Sequence, residues 1–445
     1  MLSTLSLTAN RPASGLVHAN ALLRSPLPVW AALFTNVLAF SGLPTILPIP
    51  PSLGQMVTQG ALILAFLLAL MANPRGIIRP NLFLVLLSVL AVVALAVSIH
   101  NQFMLGSTFR ASRLIGFVTV LWLLTPWWGR SDLVLLRSHI WCLRIVVGTV
   151  LIGAVLAPGA AFSFEGRLSG TLWPIPATQV AHYAAVLLGC TVVLWFGGLV
   201  RGRTALLTLV AAGAALVGTH TRTALIAMAV GLVVAGASMF LGHARVRRTS
   251  AALVVAGVIV ATFFAPFVLT WLSRGQSYEE ASQLTGRTKV WTEIARLQRP
   301  WLEAVFGSGL SNKSFNGLAI DSNWLSVYLD QGWVGLFIDA MLLLVLLVLA
   351  VTSARGVRRA IALFLVVYCL LASITETGLG DASPYLLELV VAASLLAAPS
   401  RIAAATRRHV RLTEHAGPSS PVGLPRPAAE SGAVAHNEGP RSPLS

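Results

Sequence analysis

Arginines fall at regular places between the apolar runs of this 445-residue chain. Hydrophobic stretches of membrane-spanning length alternate with polar gaps, and every second gap is short and carries Arg. A hydrocarbon core needs about 20 apolar residues of helix, and excess Lys and Arg marks cytoplasmic loops. We therefore predict an all-α polytopic membrane protein with about 12 transmembrane helices and both termini cytoplasmic. One long extracytoplasmic loop, residues 273–320, is predicted between helices 9 and 10.

The predicted spans follow from the apolar runs, and the placement of charge checks their number. A count of twelve puts every basic gap on one side of the membrane, whereas an error of one span would put basic loops on both sides. The spans lie near residues 29–48, 54–73, 81–99, 114–129, 138–157, 177–199, 204–220, 223–242, 250–272, 327–352, 360–377 and 383–399. The basic gaps hold Arg75 and Arg79; Arg130 and Arg137; Arg201 and Arg203; Arg245, Arg247 and Arg248; and Arg355, Arg358 and Arg359.

Composition narrows the class of protein further. Hydrophobic residues make up 56% of the chain and charged residues 10%, which excludes an ordinary soluble globule. The net charge of +16 is spread thinly over the loops, as topology determinants are, so we expect no nucleic-acid binding. Cys142, Cys190 and Cys369 each lie inside an apolar run. Neither a disulfide framework nor a metal-ligand spacing is visible, and we expect no metal and no cofactor.

The ends of the chain differ from its apolar middle. Residues 1–28 hold two arginines but no apolar segment that ends in a small-residue cleavage site, so they are interpreted as a cytoplasmic leader. Residues 29–400 form the predicted transmembrane domain. Residues 401–445 are rich in Pro, Ser, Gly, Ala and charge, which predicts a disordered basic cytoplasmic tail.

Two arginines stand in gaps predicted to be extracytoplasmic, where topology gives no cause for positive charge. Arg222, in Thr221-Arg222, is either a snorkelling interfacial arginine or a phosphate ligand, because a guanidinium binds phosphate oxygens bidentately. His220 is either a hydrogen-bonded interfacial histidine or a base. Arg167 is followed by Gly170, where the backbone can approach a ligand closely.

A basic segment opens a predicted helix in the long loop. Arg287 and Lys289 stand in its first turn, where the helix dipole favours an anion, and Pro300 ends the helix. The alternative is an amphipathic helix that touches lipid headgroups. Trp291 lies one turn from Arg287, so the pair can stack under either interpretation. The apolar face is formed by Val290, Ile294 and Leu297.

Acidic residues mark the outer ends of the last spans. Asp321 precedes the tenth span and is either a group that accepts a proton from a hydroxyl or the N-cap of the helix. Glu376 and Asp381 flank the last outer turn, where solvated loop carboxylates are expected.

With these clusters in this order, the chain resembles the family of O-antigen ligases and O-antigen/exopolysaccharide polymerases. Members are membrane glycosyltransferases that act on undecaprenyl-diphosphate-linked glycans outside the cytoplasmic membrane. The resemblance covers roughly residues 165–340 and depends on the set rather than on any single motif. The matching segments are Arg167 to Pro174, Thr221-Arg222, Gly286-Arg287-Thr288-Lys289-Val290-Trp291, Phe306-Gly307-Ser308-Gly309 and Asp321 to Gly335.

The resemblance implies transfer of glycan from the lipid-linked donor to a hydroxyl of a glycan or lipid acceptor, in the bilayer and alongside other polysaccharide-assembly membrane proteins. It implies that Arg222 and Arg287 bind the donor diphosphate, with Arg167 as a third candidate. Asp321 is then the first candidate for the base and His220 the second. Ligases typically carry His-Asn where this chain has Asp321-Ser322, which favours a polymerase-like member.

Two other classes of protein fit the same topology. A transporter or lipid-linked oligosaccharide flippase suits twelve spans equally well, but the predicted spans carry few charges apart from Arg144. A solute path or proton relay would usually need more ionisable groups at membrane depth. A structural or assembly protein that docks through its long loop is the third possibility.

Overall fold

The computed structural model describes residues 25–46, 48–100, 104–130, 132–240, 242, 245–249, 287–311 and 313–398. The predicted ninth span (250–272), the first part of the predicted loop, most of the leader and the tail lie outside these residues. The described part holds fourteen α-helices: α1 Pro26–Val37, α2 Pro51–Ala72, α3 Leu82–His100, α4 Met104–Leu123, α5 Val134–Leu156, α6 Pro158–Ala161, α7 Ala177–Phe196, α8 Gly202–Gly218, α9 Arg222–Met239, α10 Arg287–Arg296, α11 Trp301–Phe306, α12 Asn323–Thr352, α13 Val357–Ala372 and α14 Pro384–Leu396. Two short antiparallel strands, β1 Ser314–Phe315 and β2 Leu318–Ala319, form the one sheet in this part.

Six of the described helices are long and apolar enough to cross a membrane: α2, α3, α5, α7, α9 and α12. Two more, α8 and α14, are apolar but shorter. Large apolar side chains such as Met56, Ile63 and Leu64 of α2 stay exposed, which suits contact with lipid rather than water. The prediction of an all-α membrane protein is confirmed at this level.

The interior is built on close packing of helices through small residues. Phe364 of α13 lies against Gly189 of α7 and Gly231 of α9, where a Cβ atom would come within 1.9 Å and 3.0 Å of its ring. Small residues at helix contacts let backbones approach closely, which is how helices associate in lipid. The most enclosed helices are α7, α13 and α14, and they carry the candidate groups described below.

The gaps between helices form two sets that do not mix in the contacts of the described residues. Gaps predicted to be cytoplasmic bond to one another: Arg79 N–H to Thr125 Oγ1 (3.0 Å), Gly129 N–H to Ser394 O at the end of α14 (2.9 Å) and Arg245 to Trp195 O (2.6 Å). Gaps predicted to be extracytoplasmic do the same: Ser41 N–H to Pro174 O (2.9 Å), Leu168 N–H to Gly218 O (2.8 Å) and Asn323 N–H to Ser373 O (3.0 Å). This alternation is what an up-and-down path through a membrane produces.

Two predicted boundaries are wrong, and arginine explains one of them. The fourth span was expected from residue 114, but α4 begins at Met104, because Arg110 and Arg113 lie inside the helix and bond to backbone carbonyls there. The first span was expected to reach residue 48, but α1 ends at Val37. With 12 and 13 residues, α1 and α14 are about 18 and 20 Å long. Both are shorter than a hydrocarbon core of about 30 Å.

Candidate functional site

A tight hinge between α8 and α9 brings two of the predicted clusters together. Arg167 donates from Nε to Thr219 O (3.1 Å) and from Nη2 to Thr221 Oγ1 (3.1 Å), so its guanidinium holds the hinge that precedes Arg222. His220, within the hinge, has the left-handed φ of 50°. Gly170 does not face a ligand, because its Cβ position lies 2.3 Å from Trp173 O in the same loop.

Helix α12 is broken at Gly332 and folds back on itself. Gly332 has φ 65° and ψ −161°, which is not helical. Asn323 Nδ2 donates to Asp339 Oδ2 at 2.9 Å, although a straight helix would separate their Cα atoms by about 24 Å. The segment before Gly332 is therefore a short re-entrant helix that returns beside the segment after it.

The Phe-Gly-Ser-Gly turn after α11 fits against this break. A Cβ on Gly307 would lie 2.3 Å from Asp330 O, and one on Gly332 would lie 2.4 Å from Val305 O, so the two backbones touch. The break frees the carbonyls of residues 328–330, and the turn and Arg299 satisfy them. Arg299 donates to Tyr328 O and Leu329 O, Ser308 N–H to Leu329 O, and Gly309 N–H to Asp330 O, at 2.8 to 3.0 Å.

The outer loop 373–383 joins the hinge to the re-entrant helix. Asn323 Oδ1 accepts from Gly378 N (3.2 Å) and Leu379 N (2.8 Å), and Gln331 donates to Gly380 O (2.9 Å). On its other side, Thr375 Oγ1 donates to Thr223 Oγ1 (3.0 Å). Asp321 and Arg222 each lie within two residues of one of these contacts, so both border the same loop.

The structure corrects the capping interpretation of Asp321. Helix α12 begins at Asn323 with Ser322 in the N-cap position, and no side chain makes a cap hydrogen bond. Asp321 is one residue outside the cap and half-buried. Its position thus needs a reason other than the cap.

The helix that opens with Arg287 packs on protein. Val290 and Ile294 are buried against Ile320 and Leu329 of the re-entrant segment, whereas Leu297 is 40% exposed. The first two members of the predicted apolar face are therefore confirmed. The side chain of Arg287 lies outside the described part, so its approach to Arg222 remains a prediction.

A second group of charges near this loop was missed by the sequence analysis. Arg113 donates to Asn36 O (3.0 Å) and Ala382 O (3.3 Å), and Arg110 donates to Ser311 O. Asp381 lies near enough to attract Arg113, so it is not merely a solvated loop carboxylate as expected. Asp330, 1% exposed, has Ser311 and Lys313 as neighbours. The signal was the Arg110/Arg113 pair, which was taken to precede a span.

The expectation that the membrane helices carry few ionisable groups is wrong. Besides Arg110, Arg113 and Asp330, the described helices bury Asp339, and Glu388 with His139 and His182. Glu388 Oε1 lies 3.3 Å from His139 Nε2 and 3.2 Å from His182 Nε2. These three residues are far apart in sequence, and each one alone is an isolated polar residue in an apolar run. In the described residues, no group of three or more His, Cys, Asp or Glu is arranged to hold a metal ion.

No protein family matches the chain, and comparison with functionally characterised proteins gives no match either. Conclusions about activity therefore depend on the geometry of the loop 373–383 and its neighbours, together with the sequence resemblance.

Proposed function

We propose that the protein is a membrane glycosyltransferase of the O-antigen ligase or polymerase type. In this proposal it has twelve spans, lies in the cytoplasmic membrane with both termini inside, and works on the outer face. It transfers glycan from an undecaprenyl-diphosphate-linked donor to a hydroxyl of a glycan or lipid acceptor. The product is a cell-surface polysaccharide.

One observation carries the proposal: the segments of the resemblance meet in space. Arg167 holds the Thr219–Thr221 hinge, the Phe306–Gly309 turn fits the break at Gly332, and the loop 373–383 bonds to both the hinge helix and the re-entrant helix. Residues about 150 positions apart in the chain border one loop at the end of the helices where the predicted extracytoplasmic gaps lie. That arrangement suits a reaction at a membrane surface.

The chemistry requires two functions from these residues. The acceptor oxygen forms a bond to the anomeric carbon, the bond from that carbon to the diphosphate oxygen breaks, and the electron pair leaves with undecaprenyl diphosphate. Arg222 and Arg287 neutralise the charge of the leaving diphosphate, because guanidinium groups bind phosphate oxygens in a fork and stay protonated. Asp321 takes the acceptor's proton, with His220 as the second candidate.

Arg167 has a positioning role in this proposal. Its Nε and one Nη2 hydrogen are already directed at Thr219 O and Thr221 Oγ1, which fixes the turn that leads into Arg222. A lysine here could make one such contact but could not span both with a planar fork. We therefore assign diphosphate contact to Arg222 and Arg287 before Arg167.

Deletion of the gene tests the proposal, followed by sizing of surface glycans and lipid-linked intermediates. A polymerase predicts accumulation of single lipid-linked repeat units, and a ligase predicts full-length chains that stay on the lipid. Complementation with the wild type should restore normal glycan, and complementation with an Arg222→Ala variant should not. Unchanged surface glycans and intermediates in the deletion strain would contradict the proposal.

A transporter or lipid-linked oligosaccharide flippase is the second candidate, and the buried Glu388 with its two histidines favours it. Ionisable groups inside a membrane often mark ion or proton paths. The two candidates differ in where the donor accumulates after deletion. A missing transferase leaves the lipid-linked glycan on the outer face, open to an impermeant oxidant of sugars in spheroplasts, whereas a missing flippase leaves it on the cytoplasmic face and protected.

A further inference from the structure

Five helices contribute to one buried polar group, called here the Glu388 group. Its members are Trp30 of α1, His139 of α5, His182 of α7, Tyr368 of α13 and Glu388 of α14, none more than 1% exposed. Glu388 Oε1 stands between the Nε2 atoms of the two histidines at 3.3 and 3.2 Å. The ring N–H directions miss the oxygen, so these are close polar contacts rather than aligned hydrogen bonds.

Trp30 fixes the tautomer of His139. An indole N–H can only donate, and Trp30 Nε1 donates to His139 Nδ1 at 3.4 Å. Nδ1 of His139 therefore carries no proton, and the ring's proton is on Nε2, facing Glu388. His139 is neutral in this state. It offers no lone pair on Nε2 to a metal ion, so the group is not a metal site built through that atom.

His182 is not fixed in the same way. Its Nδ1 lies 3.1 Å from the hydroxyl of Tyr368, which can donate to a bare nitrogen or accept from a protonated one. His182 can therefore be neutral or charged without losing this partner. The Glu388 group thus has two states that differ by one proton.

The charge balance decides which state is stable. In the described part of the chain, the charge contacts of Glu388 are with the two histidines, and no Arg or Lys pairs with it. An ionised carboxylate buried beside two neutral histidines is an unpaired charge, which is costly at membrane depth. The other titratable side chains that face it are acids and add no positive charge: Tyr183, Cys190, Tyr368, Cys369 and Tyr385.

We propose that the Glu388 group is a proton-binding site, in which one proton is shared between Glu388 Oε1 and His182 Nε2. The proton makes the group neutral, and its loss leaves one buried negative charge among five helices. This inference does not depend on the proposed transferase activity.

The position of the site gives the proton something to act on. Helix α14 begins at Pro384, directly after the loop 373–383, and Glu388 lies one turn further along the helix. That loop carries the bonds to Asn323 and Gln331 of the re-entrant helix. Loss of the proton disturbs the packing of α14, and through it the loop that both candidate functions use.

The test is a proton count on the full-length protein in lipid nanodiscs. Glu388→Gln keeps the shape and removes the negative charge, so its buried histidines have no carboxylate to share a proton with. Between about pH 5 and pH 9, where perturbed carboxyl and imidazole groups titrate, the wild type should release about one more proton than this variant. An exposed carboxyl, changed in Glu303→Gln, is the control for loss of any one acid. Equal release from wild type and Glu388→Gln would overturn the proposal.

A second measurement decides the matter if the Gln variant does not accumulate. Nitrogen-15 NMR of histidine-labelled wild type, with signals assigned through His139→Asn and His182→Asn, reports the protonation of each ring nitrogen. His139 should keep its proton on Nε2 across the titration, and His182 should change between its neutral and charged or proton-sharing forms. A His182 ring whose signals stay constant over the whole range would also overturn the proposal.

Discussion

The break in α12 depends on Gly332, so Gly332→Ala is the sharpest test of the fold. Its φ of 65° with ψ of −161° belongs to a region that essentially only glycine occupies, and another residue there costs about 1–3 kcal/mol. The new methyl group would also lie 2.4 Å from Val305 C and O and 2.6 Å from Gly307 N. Relieving such contacts costs about another 1–3 kcal/mol. We expect a total loss of about 2–6 kcal/mol, a large part of the stability of about 5–15 kcal/mol that is usual for a folded protein.

Two matched glycines separate these costs. Gly76 has φ 57° with no heavy atom within 4 Å of its Cβ position, so Gly76→Ala should lose only the backbone part, about 1–2 kcal/mol. Gly236, in α9, has open space and a helical backbone, so Gly236→Ala should be neutral or slightly stabilising. Unfolding of the three variants by titration with denaturing detergent, followed by circular dichroism, gives the order. If Gly332→Ala were no less stable than Gly76→Ala, the argument from backbone contact at the break would fail.

The same geometry can be checked without measuring stability. Cysteines placed at Asn323 and Asp339, in a protein whose three native cysteines are replaced, should cross-link with a short bifunctional maleimide. In an unbroken helix the two positions would be about 24 Å apart, beyond the reach of such a reagent. A control pair at Asn323 and Leu349 should not react. Absence of the Asn323–Asp339 cross-link in a folded protein would refute the re-entrant helix.

The remaining predictions concern the proposed activity and topology. Arg222→Ala and Arg287→Ala should each abolish glycan transfer while the protein still accumulates, and Lys should rescue only in part because it lacks the planar fork; normal surface glycan in either Ala variant would remove that residue from the diphosphate site. Asp321→Asn should accumulate normally and lose about 10²–10⁴-fold in transfer rate, since an amide cannot take a proton; an active variant would exclude Asp321 as the base. In cells without the native cysteines, an impermeant thiol reagent should label cysteine at Ser277 and not at Ser400; the opposite result would invert the topology.

Most helices could be predicted from the sequence because the membrane imposes their length. An apolar run of about 20 residues has few alternatives in lipid, where every backbone group must be bonded internally. This is why α2, α3, α7 and α8 begin and end within a few residues of the predicted spans. The start of α4 was missed because hydropathy treats Arg110 and Arg113 as polar, whereas their guanidinium groups are satisfied by neighbouring backbone.

The re-entrant helix could not be predicted from periodicity. Residues 323–352 form one continuous helical and apolar pattern, and the break is made by a residue without a side chain. The available signal was chemical: Asp330 and Gln331 are polar residues directly before Gly332, inside a run that is otherwise apolar. Their carbonyl and amide groups find partners in the turn at Gly307 and in the loop at Gly380, which no local pattern reveals.

The Glu388 group was missed for a related reason. Its two histidines are 43 residues apart, and the glutamate follows more than 200 residues after the second one. Only the packing of α5, α7 and α14 brings them within 3.3 Å. A lone His or Glu in an apolar run is a weak signal, but three of them in separate spans of a chain with so few charges deserve to be tested as a group.

Arg113 shows how short helices and membrane depth are reconciled. It lies nine residues into α4, about 14 Å along that helix from Met104. There it donates to Asn36 O in the last turn of α1 and to Ala382 O just before α14. Carbonyls in the last turn of a helix have no partner within the helix, and irregular backbone at membrane depth is tolerated only where protein or water satisfies it. A charge that hydropathy reads as the end of one span is therefore what allows two neighbouring helices to stop short, and the loop 373–383 to lie below the start of α4.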